Sequence, residues 1–186
     1  MAQLPDPTDR LDPEQRAEMQ RMGAARAAAD GKSALAQVYV RMFNHPDLAP
    51  AVGHLGEAIR FHGVLPDDVR ELAIMWFSAR TRSPYEWSHH VRPAHLAGLG
   101  EDVLTAVAEQ RIPEGLRDDQ RAVVDAVNAV VAGQSIPAGV QQVLVDAHGE
   151  AGAVEVVVLC GLYSIMSYTC RSFDIDVEPG YPAAPF

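Results

Sequence analysis

The segment Ser83-Pro84-Tyr85-Glu86-Trp87-Ser88-His89-His90 holds the densest run of chemically capable side chains in this sequence of 186 residues. Serine followed by proline marks a helix start, and within a helix Glu86 and His90 stand one turn apart on one face. A carboxylate one turn from an imidazole can orient it, polarise it or share its proton, which makes a general acid/base unit suited to neutral pH. Both residues also have a plain structural reading. Ser83 as N-cap with Glu86 at the third helical position spells a capping box, and a histidine on a half-buried face is often only a hydrogen-bonded core residue. Glu71 lies one predicted helix earlier, with Ile74 and Met75 a turn later on its own face, so partial burial and a need for a partner are expected. If the two helices pack as a hairpin, Glu71 approaches Glu86 and His90, and two carboxylates beside one imidazole push their pKa values apart. The competing arrangement is an ion pair with Arg70 or Arg80 at the surface.

Around this core, Tyr85, Trp87, His89 and Arg92 are candidates for substrate contact, although aromatic residues at a helix hairpin more often pack the interior. His89, His90 and His95 with Glu86 could be assembled into a metal site. Adjacent histidines point about 100° apart on a helix, and no second histidine pair or cysteine completes a ligand set, so no metal is expected. No phosphate-cradling glycine motif is present either, Gly98 and Gly100 reading as a helix end, and no organic cofactor is expected. Ser83 and Ser88 lack a nucleophile-elbow context. Cys160 and Cys170 lack the spacing of a redox or zinc motif and read as two buried, reduced thiols.

The elements that must position these residues are helices. Apolar residues recur at spacings of three and four almost throughout, and no stretch sustains alternation, so the fold class is all-α, with about eight or nine helices. Asp12-Pro13-Glu14-Gln15 opens one that runs to about Asp30, where Gly31 ends it. Others are predicted over about 34–43, 48–61, 66–80, 84–97, 101–109, 118–132, 137–147 and 150–172. A single domain is expected, with residues 1–11 flexible. The tail 177–186 carries Pro179, Pro182 and Pro185 and cannot continue a helix, and its Tyr181 and Phe186 suggest docking, on another subunit for instance. Leu65-Pro66 through Leu72 weakly repeats as Ile136-Pro137 through Val143, which implies two copies of a helix hairpin. At the shared offset, Glu71 aligns with Gln142, Glu86 with Val157 and His90 with Gly161, so ionisable groups occupy only the first copy.

Composition narrows the class. A length of 186 residues, 48% apolar and 22% charged, supports one sizeable core. A formal net charge of −10 disfavours nucleic acid and anionic lipid as partners. Met1 to Arg10 has no basic stretch leading into an apolar one, and the apolar run Val156 to Met166 is too short to span a bilayer, so a core helix, no membrane and a cytoplasmic location are expected.

Taken together, Tyr39-Val40-Arg41-Met42-Phe43-Asn44-His45-Pro46, Leu65-Pro66 through Ile74, Tyr85 through Val91, and Asp174-Ile175-Asp176-Val177-Glu178-Pro179-Gly180 resemble the carboxymuconolactone decarboxylase family of the alkylhydroperoxidase D-like superfamily. In the peroxidase branch the site combines a Glu, a C-x-x-C pair and a His one turn later. By motif the Glu is Glu71 and the His is His90, while Ser83 and Glu86 stand at the cysteine positions. That replacement removes the thiol chemistry, and the E-x-x-x-H form is similar to the decarboxylase-like branch. The resemblance implies a lyase or isomerase acting on a small carboxylated lactone or related acid, of the kind met in aromatic-compound catabolism. His90 would be the proton shuttle, Glu86 would orient it, Glu71 would complete the relay, and Tyr85 or Arg92 would meet the substrate. It also implies a homotrimer or homohexamer with sites near subunit interfaces. The alternatives are a peroxidase-like redox protein and a non-catalytic oligomeric binding protein.

Overall fold

The structure is a computed structural model and describes residues 4–30 and 35–186. All regular structure among the described residues is helical: α1 Pro13–Asp30, α2 Gln37–Met42, α3 Leu48–His62, α4 Asp67–Thr81, α5 Pro84–Leu96, α6 Glu101–Ala108, α7 Asp118–Val131 and α8 Ala138–Ser172, preceded by a 3-10 turn at Thr8–Arg10. The expected stop at Gly31 and the expected start of the second helix near Ala34 lie outside the described residues. The chain forms two compact units, one from the residues through His62 with Ile165–Pro179, the other from Gly63–Ser164 with Gly180–Phe186.

In the first unit, α1 starts on the expected capping box. Asp12 Oδ1 accepts the Gln15 N–H at 2.9 Å, and Gln15 Oε1 accepts the Asp12 N–H at 3.1 Å. Helix α1 packs on α3 where Gly53 offers no side chain: a Cβ there would lie 2.2 Å from the Met22 methyl, and Met22 is fully buried. Arg26, buried beside it, donates to Glu57 at 2.9 Å and to the Gly53 carbonyl at 3.1 Å, which neutralises its charge inside the interface. The described part of the N-terminal segment is hydrogen-bonded to Asn44, just after α2. Asn44 receives the Arg10 guanidinium at 2.6 Å and donates to the Pro5 carbonyl at 2.9 Å.

The second unit is built around α4. Every residue from Val69 to Ala79 is buried, which occurs when a helix is covered on all sides; α5, α6 and α7 supply the cover. Its polar groups are paired inside: the Trp76 indole N–H donates to Asn128 at 3.0 Å and the Ser78 hydroxyl to the Ile74 carbonyl at 2.8 Å. Helix α4 ends with Arg82 at φ 50°, its N–H and that of Ser83 donating back to the Ala79 and Ser78 carbonyls at 3.2 and 2.8 Å. This is a Schellman closure with a non-glycine residue in the left-handed position, a conformation costing about 1–2 kcal/mol. It lets α5 begin at Pro84 without a linker, so the two helices run back to back.

Helix α8 is two helical segments joined at a kink, as the sequence led one to expect. Gly149, at φ 70° and ψ 176°, breaks it where two helices were expected to meet, a conformation that L side chains rarely adopt. Its next turns are not wholly core: Leu159, Leu162 and Tyr163 are buried, while Val154, Val157 and Val158 stand exposed.

A charged network joins α4, α7 and the segment before Gly149. Arg117 bonds Asp68 at 2.7 Å and Asp119 at 3.1 Å, and His148 approaches Asp119 at 3.4 Å. Burial pushes the Asp119 carboxyl up, but the Arg117 hydrogen bond, the Gln120 backbone N–H and the neighbouring charges outweigh it and hold it below its ordinary value of 3.8. A carboxyl depressed in the folded state contributes stability that is present above its unfolded pKa and is lost as pH falls through the folded one. Asp119→Asn is therefore expected to destabilise by about 1 kcal/mol at neutral pH. In thermal melts the difference from the parent should close as pH falls below 3.8; a gap independent of pH would mean that the charge contributes nothing.

Candidate active site

The α4–α5 hairpin decides which residues meet. Glu71 in α4 and His90 in α5 lie on opposite sides of the Arg82-Ser83 turn, on two helices packed against each other. The Glu71 carboxylate accepts from His90 Nδ1 at 2.7 Å, both residues being buried. The other Glu71 oxygen stands 3.7 Å from Arg70 Nε, and Arg70 in turn donates to Asp67 at 2.8 Å. Glu71 is thus more deeply buried than the half-buried position read from the sequence. Its ion pair with Arg70 is interior rather than superficial. A buried carboxylate held between a guanidinium and an imidazole is electrically compensated.

The second nitrogen of His90 is also engaged. Tyr163, from α8, places its hydroxyl 3.0 Å from Nε2 with its ring edge-on to the imidazole, centroids 5.2 Å apart at 85°. Sequence reasoning missed this residue. The available signal was a single polar-tipped aromatic inside the apolar run Val156 to Met166, where a buried phenol demands a partner.

Glu86 lies one turn before His90 and is likewise buried. The capping reading loses its basis here, because Ser83 makes no side-chain cap bond and its N–H is committed to the Ser78 carbonyl at 2.8 Å. Ser83 Oγ instead pairs with Thr81 Oγ1 at 2.7 Å. The side chain bonded to Nδ1 is that of Glu71.

The neighbouring face of α5 carries a stack of rings. His89 lies between Tyr85, at 4.4 Å and 21°, and Tyr181, at 3.9 Å and 34°, while Trp87 meets Phe186 edge-on at 5.2 Å. The tail therefore docks on its own chain, rather than only on another subunit, because α5 offers aromatic faces that Tyr181 and Phe186 cover. Arg92 is exposed two positions after His90, and residues so spaced do not share a helix face. The structure does not bring it to the imidazole. His95 bonds the Leu99 carbonyl at 3.1 Å and Glu101 at 3.2 Å at the far end of α5, so the three histidines do not converge. Among the described residues no three His, Cys, Asp or Glu side chains are grouped to hold a metal ion. Cys160 and Cys170 are buried, and burial pushes the Cys160 thiol up to about 12, which keeps it protonated near neutral pH.

The carboxymuconolactone decarboxylase family profile matches residues 46–140, the stretch that contains the whole α4–α5 hairpin. The chain belongs to this family. Solved structures agree on the fold, the alkylhydroperoxidase D-like one. The debrominase Bmp8, both in its apo form and as a variant bound to 2,3,4-tribromopyrrole, is similar over 91% of this chain and 90% of its own, with 18% identity and a TM-score of 0.73. An alkylhydroperoxidase AhpD core, an uncharacterized peroxidase-related protein from Ralstonia eutropha JMP134, is similar over 95% and 90%, with 16% identity and a TM-score of 0.74. A protein of unknown function from Agrobacterium tumefaciens is similar over 72% and 92%, with 18% identity and a TM-score of 0.61. No protein of curated function matches the sequence significantly. Such distant likeness carries the family fold, and one fold supports different reactions.

Proposed function

We propose that this carboxymuconolactone decarboxylase family member is an acid/base enzyme that moves a proton on a small carboxylated lactone or related organic acid, in a decarboxylation or an isomerisation. The observation that supports this most is the buried contact of 2.7 Å between Glu71 and His90 Nδ1. A carboxylate on Nδ1 fixes the tautomer with its proton on that nitrogen, leaves Nε2 basic, and stabilises the imidazolium that forms when Nε2 takes a proton. Glu86, one turn away, adds a second acidic group whose ionisation tunes the histidine. Tyr85 and His89 are the substrate contacts best placed on the adjoining face of α5. When carbon dioxide leaves a carboxylated lactone, an enolate develops, and a protonated imidazole is a suitable donor to it.

A thiol-peroxidase reading has the superfamily neighbours in its favour but has no thiol at the positions of the pair, which Ser83 and Glu86 occupy, and Cys160 is held protonated. The test is a screen of carboxylated lactones and ring-cleavage acids, with His90→Ala as the blank. Turnover by the parent and not by the blank is the expected result. Peroxide reduction abolished by removing both cysteines would overturn it.

The protein is proposed to work as a homotrimer or homohexamer. At the positions that align with Glu86 and His90 in the second hairpin, Val157 and Gly161 are exposed, beside exposed Val154 and Val158. An apolar stripe of this kind is usually covered by another chain. Light scattering at micromolar concentration should give a mass three or six times that of the chain, and Val157→Glu should dissociate it. A monomeric parent would remove this proposal.

A further inference from the structure

We propose that Tyr163 is a catalytic residue and the outer end of the proton relay, so that the reacting atom of the substrate meets the phenolic oxygen rather than His90 itself. The inference rests on the acid/base reading above and adds the group that reading lacks. Both imidazole nitrogens are engaged, Nδ1 with Glu71 at 2.7 Å and Nε2 with the Tyr163 hydroxyl at 3.0 Å. A neutral imidazole has one donor and one acceptor, and these two contacts use both, whereas a phenolic oxygen that donates to Nε2 keeps lone pairs with which to accept. Glu71, His90 and Tyr163 therefore form a chain of carboxylate, imidazole and hydroxyl in the order that activates a hydroxyl in hydrolytic triads. All three are buried, on three different helices of one unit, so the order of the chain is held by packing.

The step balances without an added reactant. In an isomerisation, the Tyr163 oxygen takes a proton from the carbon next to the substrate carbonyl as its own proton passes to His90 Nε2. The electron pair of the broken C–H bond remains on the substrate as an enolate, and the positive charge on His90 is compensated by Glu71. Return of the proton from Nε2 to the phenolic oxygen, and from that oxygen to a different carbon, completes the reaction and restores the enzyme. In a decarboxylation the electrons of the C–C bond form the enolate as carbon dioxide departs, and Tyr163 then gives its proton to the carbon. Water then returns a proton to the phenolic oxygen, and His90 is left neutral as in the resting state.

The variant Tyr163→Phe tests this, because it keeps the ring against His90 and against Phe77, whose centroid lies 6.5 Å away, and removes only the oxygen. In the substrate-free protein, the nitrogen NMR signal of His90 Nε2 is expected to lose the signature of an accepted hydrogen bond in the variant. An unchanged signal would overturn the proposal while leaving a His90 base intact. With a substrate that the parent turns over, Tyr163→Phe should lower kcat by about 10²-fold, with KM changed far less. Wild-type kcat in Tyr163→Phe, with His90→Ala inactive, would reduce Tyr163 to packing and leave the broader reading standing. As a variant that cannot fail through lost structure, 3-fluorotyrosine at position 163 makes the phenol more acidic and should move the basic limb of the pH–rate profile downward; an unmoved limb would also overturn the assignment. If the parent turns over no acid or lactone, the acid/base reading and this proposal fall together.

Discussion

His90→Ala is expected to lower turnover by about 10²-fold or more, with Glu71→Gln close behind it, because the two residues supply one function. On the proposed reading the histidine takes and returns the proton, and the carboxylate 2.7 Å from Nδ1 decides which nitrogen is basic and bears part of the charge that develops. Glutamine in place of Glu71 can still accept from Nδ1 but no longer compensates an imidazolium, so the loss should fall on kcat more than on KM. The double variant should be little worse than His90→Ala alone, since effects within one catalytic unit are not additive. Steady-state kinetics on the four proteins decides the matter, and fully additive losses would separate the two residues. The stability costs should fall in the same order. Removing the imidazole leaves a buried carboxylate with one compensating group fewer, a defect of about 1–3 kcal/mol, whereas Glu71→Gln removes a buried charge and should cost less.

The second large effect is expected at Glu86. Glu86→Gln should also lower turnover by about 10²-fold, the scale of a lost acid or base, and should leave the melting temperature nearly unchanged. The usual structural explanation for a glutamate at the third position of a helix does not hold at this site, because the Ser83 N–H that such a residue would cap is already bonded to the Ser78 carbonyl at 2.8 Å. Glu86→Ala is therefore expected to follow Glu86→Gln in activity, with no helix-capping penalty. Near-parental turnover in Glu86→Gln, together with a lowered melting temperature in Glu86→Ala, would return Glu86 to a structural role.

Much of the site was legible because local rules decided it. Helical spacing alone puts Glu86 and His90 on one face, and Ser83-Pro84 announces the helix that carries them. The break at Gly149 was legible for a similar reason, since the glycine stands between two apolar periodic segments. The partner of His90 on its other nitrogen was not legible. Tyr163 stands 73 positions away from it in sequence, on a helix that reads as uniformly apolar, and no local rule relates a residue in α8 to one in α5. Arg92, by contrast, lies two positions from His90, a spacing at which the helix turns it away to solvent.

What the sequence by itself determined about this protein is its all-helical class, the position of nearly every helix and the hairpin that carries Glu71, Glu86 and His90, because hydrophobic period, caps and turn residues act over a few positions and are written in order along the chain. What only the tertiary structure decided is the wiring of the site: Glu71 rather than Glu86 at Nδ1, Tyr163 at Nε2, and a tail whose Tyr181 and Phe186 cover α5. Those pairings follow from which faces the packed helices bury against one another. Burial is set by the whole core at once, and a buried polar group takes whichever partner that packing brings within about 3 Å.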